Sequence, residues 1–308
     1  MQYRRIGTTD LDVSVIGLGT WQFGGEWGKD FSQKEVDAIL NEANAQGINF
    51  IDTAECYGDH LSERFIGDYL KRNNRQDWLL ATKFGHHFHH AFERTRHWDP
   101  DDVLKQLDQS LKSLKTDYID LYQAHSCTDV EFNNDALWTM LDKQKQAGKI
   151  RNIGISLRTN DEPYQVEAAR EVGVDAIQIV YNRLDRAPES EVFPIAEKEQ
   201  LGVLARVPLA SGYLSGKYKP GAQFDPTDVR SRRDKEEQLS KLKEVEKIME
   251  TEVPENTSMA TWALAWCLQH PAVTTVIPGC KNPEQVISNA AAANLSSVSP
   301  NHPQYVSK

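Results

Sequence analysis

Four side chains suited to proton transfer stand near the ends of three successive apolar segments. Asp52 and Tyr57 lie in INFIDTAECYG, Lys83 lies in WLLATKF, and His125 follows YIDLYQA. Tyrosine, with a pKa of about 10, is a weak acid at neutral pH, but a nearby ammonium stabilises its phenolate and lowers that pKa. Lys83 can supply the ammonium, Asp52 can hold it charged, and His125 can donate a hydrogen bond to a carbonyl oxygen. Such a set would protonate an oxygen on which negative charge builds, as carbonyl reduction requires.

A second group of reactive residues is the histidine-rich segment after Lys83. His86, His87, His89 and His90 fill four of five consecutive positions, which raises a metal-dependent barrel hydrolase as another hypothesis. Zinc hydrolases on barrels take ligands from several strands, and four histidines of one short loop cannot all converge on one tetrahedral ion. We therefore predict no functional metal site and expect a substrate-facing loop. Because unperturbed histidine has a pKa of about 6.5, this loop would make the substrate profile sensitive to pH.

These residues are set among eight short apolar segments. The segments have the length of strands and are rich in Ile, Val, Leu and aromatic residues, which is typical of buried parallel strands. They are VSVIGLG (13–19), INFIDTA (48–54), WLLATKF (78–84), YIDLYQA (118–124), IRNIGIS (150–156), DAIQIVY (175–181), GVLARVP (202–208) and AVTTVIP (272–278). In a barrel of parallel strands, chemistry is found at the C-terminal strand ends, where Asp52, Lys83 and His125 stand.

Helix signals separate the apolar segments. Ser32 with Glu35 forms a capping-box pattern that predicts a helix start, and Gly47 is placed to end that helix. The segment 99–115 carries its apolar residues on one stripe, with acids in the first turn and lysines in the last. Two more helices are predicted at 235–250 and 258–269. Eight strand-then-helix units without a flexible linker predict an α/β protein with one domain, a (β/α)8 TIM barrel over residues 1–308.

The alternative is a doubly wound dinucleotide-binding sheet, opened by VIGLGTWQFGG (15–25). Its GxGxxG pattern is not completed, because Gln22 stands where the third glycine is needed. An aromatic, glycine-rich loop follows in place of a helix start. Asp52, the first acid at a following strand end, is too far along the chain to bind the ribose. The barrel is therefore favoured.

Composition narrows the class of protein. The chain has 308 residues, a hydrophobic fraction of 39% and a formal net charge of −10, with a pI of about 5.4. This charge argues against a nucleic-acid partner, which needs a basic face. No apolar run approaches the roughly 20 residues of a membrane span, and the N-terminal segment lacks the apolar core of a signal peptide, so we expect a cytoplasmic protein. The four scattered cysteines are expected to be reduced thiols.

Taken together, these segments resemble the aldo-keto reductase superfamily, whose members are (β/α)8 carbonyl reductases that use NADPH. The likeness is closer to bacterial reductases and potassium-channel β-subunits than to aldose reductases. It is carried over nearly the whole chain by GLGTWQFGG, INFIDTAECYG, LATKFG, YIDLYQAH, GKIRNIGIS, IQIVYN, VLARVPLASGYLSGKY and VIPGCKNPEQVISNAAA. The resemblance implies a catalytic tetrad of Asp52, Tyr57, Lys83 and His125, with Tyr57 as general acid.

The resemblance also implies an NADP(H) site. Its residues would be Thr20, Trp21, Asp52, Ser156, Gln178, Arg206, Pro208, Leu209, Ser211, Gly212, Lys217, Arg230, Gly279, Lys281, Gln285 and Asn289. In this scheme, Thr20 and Trp21 line the nicotinamide end, and Ser156 and Gln178 bind its carboxamide. Leu157 stands where the family usually has Asn, so one polar contact is missing or supplied elsewhere.

The other cofactor residues are assigned to the ribose, phosphate and adenosine portions. The segment 206–212 would wrap the nicotinamide ribose and the pyrophosphate, with Lys217 on the phosphates. Arg230 and Lys281 would lie near the 2′-phosphate, which suits bidentate arginine, although the mixed-charge run around Arg230 is also consistent with a solvated side chain. Gly279, Gln285 and Asn289 would belong to the block that holds the adenosine.

The sequence therefore predicts an NADPH-dependent reductase of small-molecule aldehydes or ketones. The alternative is a catalytically weak NADPH-binding sensor or scaffold, as channel β-subunits are. Those subunits tend to carry another residue at the position of His125, so its presence favours an active reductase. The loop GGEWGKDF (24–31) and the histidine segment are expected to choose the substrate, and the sequence indicates no oligomeric state.

Overall fold

The computed structural model describes residues 1–161 and 163–295. In these residues the strands are β1 (Tyr3–Arg5), β2 (Asp12–Ser14), β3 (Leu18–Gly19), β4 (Phe50–Asp52), β5 (Leu79–Phe84), β6 (His86–His90), β7 (Glu93–Arg96), β8 (Ile119–His125), β9 (Ile150–Ser156), β10 (Ala176–Val180), β11 (Gly202–Arg206) and β12 (Thr275–Val276). Eight of them form one parallel sheet in the order β3-β4-β5-β8-β9-β10-β11-β12. Seven of the eight lie within one of the predicted apolar segments, and β8 extends one residue beyond the segment 118–124.

The sheet curls until its first and last strands meet. The N–H of Gly17 donates to the carbonyl of Val276 at 2.8 Å, and the N–H of Gly19 donates to the carbonyl of Pro278 at 3.0 Å. The approach requires glycine at position 19, since a Cβ there would lie 2.6 Å from the carbonyl oxygen of Ile277. The predicted (β/α)8 barrel is thus confirmed.

Helices pack around the barrel. They are α1 (Gln33–Ala45), α2 (Leu61–Leu70), α3 (Pro100–Leu114), α4 (Asp129–Phe132), α5 (Asp135–Gln146), α6 (Tyr164–Glu167), α7 (Val192–Lys198), α8 (Lys235–Thr251), α9 (Met259–Leu268) and α10 (Pro283–Ala290). The predicted capping box of α1 is present, with Ser32 and Glu35 each accepting from the other's backbone N–H. Helices α8 and α9 agree with the predicted ranges within one residue. No helix in the described part of the chain is both long and apolar enough to cross a membrane.

Residues along each strand alternate between the barrel interior and the helical layer, as the strand repeat requires. One layer of the interior is apolar, with Phe50, Ala81, Leu121, Ala176 and Leu204. Two residues farther along each of the same strands stand Asp52, Lys83, Gln123, Gln178 and Arg206. The repeat of two therefore places five polar side chains inside the C-terminal end of the barrel.

Two antiparallel hairpins flank the barrel. The first, β1–β2, contributes Ile6, Leu11 and Val13 to the apolar interior cluster. Val13, which the sequence assigned to the first barrel strand, belongs to this hairpin. The second, β6–β7, contains the histidine segment. The prediction that this segment is an irregular loop is therefore wrong. Its turn includes Phe92 at a φ of +68° and lacks the Asn-Gly or Asp-Gly pair that would signal a tight hairpin.

Candidate active site

Lys83 is fully buried at the end of β5, where its ammonium has three acceptors. Its Nζ donates to Asp52 Oδ2 at 2.8 Å, to the Thr53 carbonyl at 2.6 Å and to the Tyr57 hydroxyl at 3.3 Å. Burial works to lower the pKa of Lys83, but the Asp52 carboxylate and Tyr57 outweigh it and raise the pKa above its usual range. Lys83 is therefore a fixed positive charge beneath Tyr57.

Asp52 is held from the side opposite Lys83. Its Oδ1 accepts from Gln178 Nε2 at 2.7 Å and from Gln123 Nε2 at 3.0 Å. A buried carboxylate needs such hydrogen bonds to offset its desolvation. Gln123 comes from β8 and Gln178 from β10, so the interior layer of polar side chains fixes the geometry of the Asp52–Lys83 pair. Gln123 was not among the site residues predicted from the sequence.

Tyr57 stands on the turn that follows β4 and is packed from above. A Cβ at Gly24 would lie 2.7 Å from the carbonyl carbon of Tyr57, so only glycine permits this close approach. The Trp21 ring stacks on Tyr57 with 6.1 Å between ring centroids. Burial raises the pKa of Tyr57 to about 12, and Lys83 opposes this rise without cancelling it. The expected net lowering of this pKa is therefore wrong, and Tyr57 is a protonated phenol at neutral pH.

His125 completes the group at the end of β8. Its ring lies edge-on to Tyr57, with 6.3 Å between centroids, and its Nδ1 is 3.7 Å from Cys56 Sγ. Burial, together with the nearby His86, Lys83 and Arg206, holds the pKa of His125 well below its usual range. The ring is thus neutral and can donate one hydrogen bond into the cavity. The four predicted tetrad residues lie together at one end of the barrel.

A cavity of about 660 Å³ opens over this group, within the usual volume of small-molecule sites. Most predicted cofactor residues line it, namely Thr20, Trp21, Asp52, Gln178, Arg206, Pro208, Leu209, Ser211, Gly212, Lys217, Arg230, Gly279, Lys281, Gln285 and Asn289. Ser156 is the exception; it is buried behind Gln178, with its Oγ 3.5 Å from Gln178 Oε1. Trp27, from the loop 24–31, also lines the cavity.

The segment after β11 forms one wall with unusual backbone geometry. Val207, Ala210 and Ser211 have φ values of +54°, +47° and +59°. Non-glycine residues rarely adopt this region, and such strain clusters at ligand-binding sites. The neighbouring Arg206 donates from Nη2 to the Leu157 carbonyl at 3.1 Å, while its buried Nε has no hydrogen-bond partner among the described residues. The Nη2 contact is made at Leu157, the position where the resemblance implies an Asn.

Arg230 lies at the other end of the cavity and is buried, so the solvated interpretation is wrong. Its Nε and Nη2 bond Asp228 at 2.9 and 2.6 Å, and its guanidinium stacks 4.2 Å from the Phe224 ring centroid. Lys281 donates to the Trp27 carbonyl at 2.7 Å. Two cations therefore face this end of the cavity, and one of them is already paired with a carboxylate.

A buried carboxylate, Glu26, connects the segments around the cavity mouth. It accepts from Trp21 Nε1 at 2.6 Å and from the N–H of Phe92 at 2.7 Å, and it forms an ion pair with Arg94. Its own carbonyl accepts from the N–H of Val229 at 2.9 Å. Glu26 thus joins the loop after β3, the β6–β7 hairpin and the segment that carries Arg230. No local pattern predicts this role for Glu26, because Phe92, Arg94 and Val229 are distant from it in the sequence.

Comparison with known proteins agrees with this geometry. A model of the aldo/keto reductase family matches residues 15–305. The chain belongs to this family. It is therefore an oxidoreductase of a family in which nicotinamide cofactors and small carbonyl substrates are general.

Several aldo-keto reductases are similar over almost their full length. The chain is 37% identical to the uncharacterized oxidoreductase YqkF of Bacillus subtilis, covering 96% of this chain and 92% of that protein. It is 32% identical to an NADH-specific methylglyoxal reductase of Escherichia coli, and the match covers 94% of this chain and 93% of that protein. The holo form of the aldo-keto reductase AKR11C1 from Bacillus halodurans superposes with a TM-score of 0.82 at 30% identity. The match covers 99% of this chain and 95% of that protein.

Proposed function

We propose that this aldo-keto reductase reduces small aldehydes or ketones with NADPH, and that Tyr57 donates the proton. The observation that carries the proposal is the buried chain of Asp52, Lys83 and Tyr57, in which Lys83 Nζ lies 2.8 Å from the carboxylate and 3.3 Å from the phenol. A structural lysine would need only the first contact. The second places a positive charge beside the atom that loses a proton.

The cavity fits a dinucleotide in size and chemistry. The left-handed backbone at Val207, Ala210 and Ser211 supplies polar groups for a ribose and a pyrophosphate. The Arg206 Nε, which has no hydrogen-bond partner among the described residues, and Lys217 add two more. Thr20, Trp21 and Gln178 would hold the nicotinamide, and Ser156 would act only through its contact with Gln178. When bound, the reduced nicotinamide supplies the hydride.

The distal residues would hold the rest of the cofactor. Gln285 and Asn289 stand one turn apart on α10 and both line the cavity with Gly279, which suits an adenosine. Arg230 and Lys281 would face the 2′-phosphate. These assignments extend the sequence expectations and agree with the positions of the side chains.

The protein side chains then perform the proton chemistry. His125, neutral because of its burial, donates a hydrogen bond to the carbonyl oxygen and fixes its direction. Tyr57 is fully protonated because burial raises its pKa to about 12, so the proton donor is present at every physiological pH. As Tyr57 transfers its proton, the Lys83 ammonium stabilises the phenolate that forms. Asp52 and its glutamine partners keep Lys83 in place.

One observation favours NADH as the second candidate cofactor. Asp228 is bidentate to Arg230, so it neutralises the cation expected to bind a 2′-phosphate and adds a negative charge nearby. The relative from Escherichia coli is named as NADH-specific. Lys281 and Lys217 still leave this end of the cavity with a net positive charge, which is why we favour NADPH.

The experiment is a fluorescence titration with NADPH and NADH, followed by a panel of aldehydes and ketones. We expect tighter binding of NADPH and turnover of at least one carbonyl class. Tighter binding of NADH would overturn the cofactor assignment alone. Tight cofactor binding without turnover across the panel would overturn the reductase and support the sensor or scaffold alternative.

A further inference from the structure

Three side chains that can ligate a transition metal meet in the cavity wall beside Tyr57. They are Cys56 from the β4–α2 turn, His86 from the base of the β6–β7 hairpin and His125 from β8. One ligand atom from each lies within 4.8 Å of the other two, and all three residues line the cavity. We propose that Cys56, His86 and His125 bind one zinc-class divalent cation, and that this ion inhibits the enzyme by competing with the carbonyl substrate.

The distances suit a tetrahedral ion. Zn–S bonds of about 2.3 Å and Zn–N bonds of about 2.0 Å place sulfur and nitrogen ligands roughly 3.5 Å apart. Cys56 Sγ is already 3.7 Å from His125 Nδ1. The His86 and His125 rings are 4.7 Å apart between centroids. Because the three ligand atoms lie within 4.8 Å of one another, a side-chain rotation that moves the His86 ligand atom by roughly 1 Å brings it to the ligand–ligand distance of a zinc site.

His86 has a free ligand atom for this purpose. Its Nδ1 is buried and has no hydrogen-bond partner among the described residues, which is costly for a polar atom unless a ligand satisfies it. The sequence prediction against a metal site concerned four histidines of one segment. The trio takes a single histidine from that segment and draws its other ligands from two distant parts of the chain.

The surrounding charges tolerate a divalent ion. Three of the four cations near the trio are paired with a carboxylate: Lys83 with Asp52, Arg94 with Glu26 and Arg96 with Glu131. The fourth, Arg206, has no carboxylate partner in the described part of the chain. On binding, the Cys56 thiol releases its proton to solvent, and the thiolate neutralises one charge of the ion. Cysteine and imidazole together select zinc over magnesium or calcium.

Competition with substrate follows from the position of the trio, and this part rests on the proposed function. A shared ion ties His86 to His125 across the space through which a carbonyl oxygen must approach His125. The fourth coordination site opens into the cavity, as three-ligand zinc sites do. Zinc should therefore raise the KM for the carbonyl compound without displacing the cofactor.

Cobalt titration of the cofactor-free, untagged chain tests the site without any turnover. We expect one Co²⁺ per chain, with the visible bands of a tetrahedral site and a near-ultraviolet thiolate-to-cobalt band, all removed by Zn²⁺. Cys56→Ser should abolish the thiolate band, and His86→Gln should weaken binding at least about tenfold. His90→Gln, an exposed position of the same hairpin, is the matched control and should bind as the natural chain does.

The site is refuted if the natural chain shows no thiolate band, if Cys56→Ser keeps it, or if His90→Gln weakens binding as much as His86→Gln. Zinc inhibition is then measured on each variant against its own uninhibited rate, and loss of inhibition in Cys56→Ser is expected. If cobalt binds but zinc leaves KM unchanged, the inhibitory role is wrong and the site stands. If no carbonyl compound is reduced, the proposed function fails while the cobalt spectrum still decides the site.

Discussion

At the Tyr57 end of the cavity the reactive side chains come from barrel strands and the turn directly after β4, whereas at the Arg230 end the charged side chains come from loops. Lys83 and Asp52 are fixed by the parallel register of β4 and β5 and by glutamines from β8 and β10. Arg230 is fixed by a carboxylate only two residues away and by aromatic rings of its own loop. Under the proposed function, the barrel strands hold the proton-transfer group, and loop contacts would set the choice of cofactor.

The largest effect should come from a substitution at the Tyr57 end of the cavity, called the strand-built end because barrel strands position Asp52 and Lys83 there. Lys83→Met leaves Asp52 as a buried, unpaired carboxylate, which should lower the free energy of unfolding by about 3–5 kcal/mol. It should also lower kcat by at least about 10²-fold, because the forming phenolate loses its cation. Denaturant unfolding and steady-state kinetics measure the two effects.

The double variant Lys83→Met/Asp52→Asn separates stability from chemistry. With the carboxylate neutralised, we expect most of the lost unfolding free energy to return while kcat stays low. If kcat recovers together with stability, Lys83 serves only the fold.

A smaller effect should come from a substitution at the Arg230 end of the cavity, called the loop-built end because loops position its charged side chains. Arg230→Met should weaken NADPH binding roughly 10- to 100-fold, the range of a lost charged hydrogen bond, and should change NADH binding far less. The rate of carbonyl reduction at saturating cofactor, which depends on Tyr57, should be unchanged. Fluorescence titrations with both cofactors measure the ratio.

A double variant controls for the loss of the ion pair, because Arg230→Met also leaves the Asp228 carboxylate unpaired. In Arg230→Met/Asp228→Asn the fold should be as stable as that of the natural chain, and the preference for NADPH should still be lost. An unchanged ratio of the two affinities in both variants would mean that Arg230 does not face the 2′-phosphate.

The last effect is a dependence of stability on pH and concerns Glu55, a buried carboxyl at the strand-built end. Burial and the nearby Glu63 raise the pKa of Glu55 to about 8, and its Oε2 has no hydrogen-bond partner in the described part of the chain. The folded state therefore holds a proton that the unfolded state loses above a pKa of about 4.3. Between these two values the free energy of unfolding falls as pH rises, by up to about 1.4 kcal/mol per pH unit from this group. The stabilisation is fully present below the lower value and lost above the upper one.

Glu55→Gln should flatten the dependence of stability on pH between about 4.3 and 8, as measured by denaturant unfolding at several pH values. Glu35→Gln is the comparison on the surface. Its carboxyl has a pKa lowered to about 2 by the Ser32 backbone and Lys29. Its contribution to the free energy of unfolding is therefore fully present above pH 5 and does not change with pH there. A slope that survives in Glu55→Gln would show that another group causes it.

The sequence predicted the strand-built end better than the rest. Apolar segments located all eight barrel strands. Of the side chains predicted to act together, Asp52, Lys83 and His125 stand at strand ends and Tyr57 on the turn after β4, and the four lie close to one another. Gln123 was missed although it follows Leu121 by the same repeat of two that relates Lys83 to Ala81. Reading the repeat through each strand, in addition to its last residue, would have found it.

The loop-built end and the hairpin depend on contacts that no local pattern encodes. Glu26 bonds residues 5 and 66 positions away, and the β6–β7 hairpin has no turn signal. The sign of the shift in the Tyr57 pKa also failed, because it depends on how deeply the ring is buried and not only on the cation beside it. Burial is a property of the whole fold.

The most direct test of the account is the rate of a single turnover by Tyr57→Phe with reduced cofactor already bound. The substitution removes only the hydroxyl that lies 3.3 Å from Lys83 Nζ. We expect the rate of carbonyl reduction to fall at least about 10²-fold while the affinity for the cofactor, read from its fluorescence, is unchanged. A single-turnover rate close to that of the natural chain would contradict the assignment of Tyr57 as the proton donor.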